Sequence, residues 1–242
     1  MRSYALVLLL ALVGCHEQAP KERAKLTIPV KQKALTGQAL LDELKKGGYV
    51  LYFRHFHTDH TKWDEDPIKP KHGEMTVKDF ITSCDQQRPL TDFGRRRARD
   101  IGTFIREDRI PVGRVQSSPY CRALESATLL AGRSPDDTLY ALVNPGGTRT
   151  FEMMANDVRP LLARIPDAGT NTIIVGHRPA MDDIRFIEEG ECYVFKPLGD
   201  GRFSLAATIY DSDWYEAKFN VAYLGLRGRQ PGGDEPPRGV TK

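Results

Sequence analysis

Apolar residues along this chain fall into two kinds of run. Tyr49 to Phe53 (YVLYF) and Thr172 to Val175 (TIIV) are continuous and of strand length, as expected for strands covered on both faces. Elsewhere the spacing is helical. Thr36 is placed to cap a helix carrying Leu40, Leu41 and Leu44 that ends at Gly47-Gly48. Thr91 starts a second, with Phe93, Ala98, Ile101, Phe104 and Ile105. Pro119, at a tolerated first-turn position, opens a third that runs through Leu130. A fourth carries Phe151, Met154, Val158, Leu161 and Leu162. Val112 to Gln116 and Leu139 to Val143 are shorter strand candidates, and a long polar loop runs from Arg54 to Pro89. Glu191 to Lys196 and Phe203 to Tyr210, joined by Gly199-Asp200-Gly201, read as a hairpin.

Helices alternating with buried strands predict a three-layer α/β fold, its central sheet largely parallel and flanked by helices. With 242 residues and no linker in the middle, one domain over 36–225 is expected, followed by a disordered Gly/Pro/Arg-rich tail over 226–242. Hydrophobic residues make up 40% and charged residues 28%, which excludes a disordered chain and a multi-span membrane protein. The net charge of +3 is too balanced for a nucleic-acid partner. The basic cluster Arg95, Arg96, Arg97 and Arg99, flanked by Asp92 and Asp100, reads as a solvated helix face.

The N-terminus adds a compartment. Arg2 precedes the apolar run Tyr4 to Val13, too short to span a bilayer permanently, so residues 1–15 read as a removable signal. Leu12-Val13-Gly14-Cys15 resembles the bacterial lipobox, which implies lipidation of Cys15 and a lipid anchor in the membrane. The polar stretch 16–35, with Pro20 and Pro29, suits a tether. The rest of the chain is then expected in the cell envelope, facing an oxidising periplasm.

Ligands on such sheets sit beyond the carboxyl ends of the strands. Three polar clusters lie there: Arg54-His55, Ser117-Ser118 and Gly176-His177. The first supports two chemistries. As H-x-H-x-D-H (His55, His57, Asp59, His60) it resembles the zinc motif of the metallo-β-lactamase superfamily, whose imidazole and carboxylate groups are sound zinc ligands. That fold needs further ligands well downstream, where only His177 remains. His72 follows His60 too soon, and no Gly follows the motif.

As R-H-x-x-T (Arg54, His55, Thr58) the same segment resembles the histidine phosphatase, or phosphoglycerate-mutase-like, superfamily. Three more segments follow in that family's order. Leu90-Thr91-Asp92-Phe93-Gly94 matches its L-T-x-x-G helix start, Ser117-Ser118-Pro119-Tyr120-Cys121-Arg122-Ala123 its S-S-P-x-x-R-A segment, and Gly176-His177-Arg178-Pro179 its G-H-x-P segment. The resemblance covers about Gly48 to Tyr210. It implies a phosphoglycerate-mutase-like fold and a metal-independent phosphatase with no cofactor. Its substrate would be a phosphorylated small molecule or an envelope glycolipid phosphate.

A phosphomonoester spreads its charge over three oxygens, so Arg54 and Arg122 suit it as guanidinium forks, and a protonated His177 is a third donor. His55 is the implied nucleophile, forming a phosphohistidine that water then hydrolyses. Ser118 is either a phosphate donor or a turn former before Pro119, and His57 either structural or substrate-facing. The acid is the open role. The family's usual position, near Leu139 to Asn144, holds no carboxylate. Asp59, on the phosphate loop, ranks ahead of Asp85, Glu152 and Asp182 as general acid. Without an acid, good leaving groups such as acyl or histidyl phosphates are favoured. A phosphate-binding lipoprotein without turnover is the non-catalytic alternative.

The remaining thiols permit at most one internal disulfide. Cys121 lies beside Arg122, and Cys84 precedes the helix start that the family places near the same site, so Cys84–Cys121 is the expected pair. Cys192, in an apolar strand, is the expected buried free thiol. Three reduced packing cysteines are the alternative.

Overall fold

A computed structural model describes residues 34–62, 81, 83–143, 149–179, 187–217, 220 and 224. The signal, Cys15, most of the tether, Asp182 and the tail lie outside the described residues.

The two apolar runs become the middle of one sheet. β1 (Val50–Arg54) and β4 (Asn171–Gly176) are buried along their whole length and pair in parallel, Val50 opposite Thr172 and Arg54 opposite Gly176. β2 (Val112–Ser117) and the two-residue β3 (Asp137–Thr138) extend the parallel part, while β5 (Cys192–Gly199) and β6 (Arg202–Ile209) form an antiparallel hairpin on the other side of β1. The order is β3-β2-β4-β1-β5-β6.

Alternation along the buried strands divides the core in two. Leu51, Phe53, Ile173, Val175 and Val115 face one helical layer: α1 (Gly37–Lys46), α2 (Asp92–Glu107), α3 (Cys121–Ala131) and α5 (Asp211–Ala217). Val50, Tyr52 and Ile174 face α4 (Phe151–Leu162) through Val158 and Leu162. The expected three layers are therefore present, the first helical layer the heavier.

Four local expectations need correction. Leu139 to Val143 is not a strand: Tyr140–Leu142 is a 3-10 turn. β2 takes its edge partners from the polar segment before it, with Gln116 opposite Asp137 and the Asp136 carboxylate accepting from the Val115 N–H at 2.7 Å. The apolar run then falls beyond the strand end, where Leu142 turns in over Tyr52 and Ile174. The third helix begins at Cys121, two residues after Pro119. Arg97 is not solvated: it is buried and its Nε donates to the Asp211 carboxylate at 3.0 and 3.1 Å. Leu35, the last tether residue, already donates its N–H to the Ala206 carbonyl at 2.9 Å.

Helix α5 is absent from the sequence reading. Seven residues are too few to show a period, and Trp214 anchors it by packing on Phe53 (ring centroids 6.0 Å) and Phe104 (5.5 Å).

Cys84 and Cys121 form a disulfide with Cα atoms 5.5 Å apart, and Cys192 is a buried free thiol. The bond ties a 3-10 turn (Cys84–Gln86) to the start of α3 across a sequence separation of 37. Closing a loop of that length removes about 3–4 kcal/mol of unfolded-chain entropy. The Cys84→Ser/Cys121→Ser variant is therefore expected to lose about 3 kcal/mol in urea denaturation relative to the oxidised protein. Equal midpoints and slopes would show that the bond contributes nothing.

Candidate active site

The sheet register decides where the polar clusters meet. β4 lies between β1 and β2, with Gly176 opposite Arg54 and Val175 opposite Ser117. Each strand then leaves the sheet at the same level. The His55 N–H donates to the Gly176 carbonyl (2.9 Å), and the Ser118 N–H to the Val175 carbonyl (2.8 Å). Arg54-His55, Ser118 and His177 thus become neighbours although more than a hundred residues separate the first from the last. Gly176 is required by close approach: a Cβ there would lie 2.4 Å from the Tyr52 hydroxyl, which donates to the His177 carbonyl at 3.0 Å.

His55 is buried, and its ring stands 5.3 Å from that of His177 in an edge-to-face arrangement. Its Nδ1 lies 2.9 Å from the Phe56 carbonyl oxygen. A carbonyl only accepts, so Nδ1 carries the proton and Nε2 keeps its lone pair. Burial, His177 and the Arg122 and Arg54 charges together hold the His55 pKa well below the ordinary histidine range. The ring is therefore neutral at neutral pH.

His177 Nε2 is 2.9 Å from the Ser118 hydroxyl, and the Tyr120 ring packs against the imidazole at 4.9 Å. The Arg122 guanidinium lies 4.6 Å over the other part of this stack, the Tyr120 ring. Burial and then the charges of Arg122, Arg54 and Arg88 push the His177 pKa well down, so the ring is neutral at neutral pH.

The loop after β1 is fixed from two sides. The Ser126 hydroxyl accepts from the Phe56 N–H (3.0 Å) and donates to the Arg122 carbonyl (2.6 Å), so one side chain joins the His55 loop to the helix that carries Arg122. On the other side the Thr91 N–H donates to the His57 carbonyl at 2.9 Å. Thr91 also caps α2, accepting from the Gly94 N–H. A Cβ at Gly94 would sit 2.2 Å from the His57 oxygen, which is the physical reason for glycine in the L-T-x-x-G segment.

Arg54 does not stand alone. Its guanidinium donates to the Ile187 carbonyl (3.2 Å), Glu188 (3.2 Å) and Glu189 (3.5 Å). Glu189 and Arg88 were not singled out from the sequence. Glu189 is nearly buried, accepts from the Thr58 N–H (3.0 Å) and hydroxyl (2.7 Å), and lies 3.7 Å from Arg88 and 3.9 Å from His55 Nδ1. Arg88, two residues before the L-T-x-x-G segment and four beyond Cys84, carried a weak signal. Glu189, twelve residues past His177 in a charged run, carried none.

Asp59 is a correction. Its carboxylate turns to Thr61, accepting from the hydroxyl (2.6 Å) and the N–H (3.0 Å), and these bonds hold its pKa below the ordinary range. A proton donor needs the opposite. Asp85 and Glu152 are exposed. Burial pushes Glu189 up, but Thr58, His60 and Arg54 more than offset it, so it too stays ionised. Nor do His55, His57, Asp59 and His60 converge as one ligand set, since His55 is turned inward onto Phe56 and Asp59 onto Thr61.

No protein-family model and no curated protein sequence matches the chain. Among solved structures it is similar to the protein histidine phosphatase SixA complexed with tungstate, at 14% identity over 68% of this chain and 98% of that one, TM-score 0.46. It is also similar to the α-ribazole phosphatase from Shigella flexneri (14% identity, 65% and 94% covered, TM-score 0.45). A third is the mycobacterial glucosyl-3-phosphoglycerate phosphatase (15%, 66% and 97%, TM-score 0.46).

The neutral His55 has a consequence for stability. Its folded pKa lies below the unfolded value of about 6.5, so on acidification the unfolded chain takes up a proton that the folded chain refuses. Stability is therefore unaffected by this group above about pH 7.5 and falls as pH drops through 6.5. Urea denaturation is expected to show about 1 kcal/mol less stability at pH 5.5 than at pH 7.5 from His55, a difference that shrinks in His55→Asn. An unchanged difference in the variant would refute a neutral, buried His55.

Proposed function

We propose that this protein is a histidine phosphatase that hydrolyses a phosphate ester or anhydride through a phosphohistidine on His55, without a metal. One observation carries the reading. The carboxyl ends of three adjacent parallel strands bring together a neutral imidazole with a free Nε2, a second imidazole and two buried guanidinium groups. Four ordered sequence segments that resemble this family fall at that convergence.

In this mechanism Arg54, Arg122 and His177 hold the non-bridging oxygens, with Ser118 orienting His177. Nε2 of His55 attacks phosphorus, forming a P–N bond while the P–O bond to the leaving group breaks and its electron pair departs with oxygen. Water then attacks phosphorus, the P–N bond breaks, inorganic phosphate leaves and Nε2 regains its lone pair. The Phe56 carbonyl keeps the proton on Nδ1 throughout and orients the ring. Asp59 and Glu189 are both held ionised, so neither is suited to protonate the leaving oxygen. Substrates whose leaving group departs readily as an anion, acyl and histidyl phosphates among them, are therefore the preferred class.

The reading includes export and anchoring through lipidated Cys15, placing the domain on the periplasmic side of a membrane. Among the described residues no helix is long and apolar enough to cross a membrane.

With p-nitrophenyl phosphate or acetyl phosphate as substrate and EDTA present throughout, steady turnover is expected, and His55→Ala is expected to lower it at least a thousandfold while the circular dichroism spectrum is kept. Phosphate binding without turnover in the native protein would favour the non-catalytic lipoprotein, and turnover that needs added zinc would revive the metal hydrolase. For the anchor, Cys15→Ser is expected to move the protein from the membrane to the soluble fraction; an unlipidated, soluble native protein would contradict it.

A further inference from the structure

Two histidines next to the phosphate loop take no part in that mechanism. His57 and His60 are exposed, their rings 5.6 Å apart, and Glu189 reaches them from the segment before β5. One ligand atom from each of the three lies within 4.8 Å of the other two. His60 Nε2 is already 3.1 Å from Glu189 Oε2. Ligands about 2.0–2.1 Å from a tetrahedral ion stand roughly 3.3 Å apart, so this pair is at the required spacing. Only the exposed His57 ring has to close in.

The hydrogen bonds around the cluster prepare it. The Thr91 hydroxyl donates to the His57 carbonyl (3.2 Å) and accepts from the Gly94 N–H (3.1 Å). Its remaining lone pair faces His57 Nδ1 at 3.0 Å and accepts from it in the tautomer that carries the proton there. That contact holds the ring from behind through Nδ1 and leaves Nε2 as the nitrogen for a metal, the arrangement in which a histidine binds one. Glu189 is held in place by the Thr58 N–H and hydroxyl.

We propose that His57, His60 and Glu189 bind a divalent transition-metal ion of the zinc class. Two imidazoles and one carboxylate suit zinc and its neighbours rather than magnesium or calcium, and three protein ligands leave a position for water. This set differs from the H-x-H-x-D-H ligands, because it excludes His55 and Asp59 and recruits a carboxylate 129 residues beyond His60. It does not depend on the phosphatase reading, since its readout is binding.

Isothermal titration calorimetry of zinc chloride into the untagged, chelator-stripped protein tests it. One ion per chain with a micromolar Kd is expected, weakened at least tenfold in His57→Ala and in His60→Ala and retained in His55→Ala and Asp59→Asn. Glu189→Gln, which removes the charge but keeps the shape, is expected to weaken it as well. No saturable binding at one equivalent, or binding indifferent to His57→Ala and His60→Ala, would overturn the proposal. Loss of binding in His55→Ala and Asp59→Asn with retention in Glu189→Gln would also overturn it and transfer the ion to the other set.

Discussion

The parallel register of β1, β4 and β2 is the constraint on which the rest of this molecule depends. Because β4 lies between the other two, with Arg54 opposite Gly176 and Ser117 opposite Val175, three strand ends stop at one level. Backbone bonds from His55 and Ser118 to β4 then carry that alignment past the sheet. A slip of one residue in either pairing would turn the buried side chains to the wrong face and separate the two histidines.

Burying imidazoles among guanidinium groups is costly unless something offsets the charge. Two devices do so. Both histidines stay neutral, and the carboxylates Glu188 and Glu189 lie against Arg54. Glu189 belongs at once to the charge balance of Arg54 and Arg88, to the anchoring of Thr58 and to the imidazole pair outside.

Rigidity comes from contacts that reach across elements. Ser126 joins the loop after β1 to α3, Thr91 and Gly94 bring the start of α2 against His57, and the Cys84–Cys121 bond holds the segment that delivers Arg88. A loop keeps its geometry when a stiff scaffold holds it, and here each side of the loop has its own tie.

The amino-acid sequence by itself determined the features that depend on local pattern. YVLYF and TIIV are nearly continuous because strands covered on both faces favour apolar residues at successive positions, and the four main helices show because each has enough turns to repeat its apolar stripe. Arg54, His55 and His177 could be picked out because they lie at the ends of those strands, and Ser118 and Arg122 because they follow the shorter candidate Val112 to Gln116, all within recognisable segments. What needed the tertiary structure was whatever depends on a distant partner. Leu139 to Val143 is apolar enough for a strand, but β2 had already paired with Asp137–Thr138. Arg97 looked solvated until Asp211 met it across the first helical layer. Asp59 was close in sequence to His55 yet turned to Thr61, whereas Glu189, 134 residues beyond His55, lies 3.9 Å from it. Sequence proximity fixes which groups share a loop; only the packed sheet decides which of them face one another.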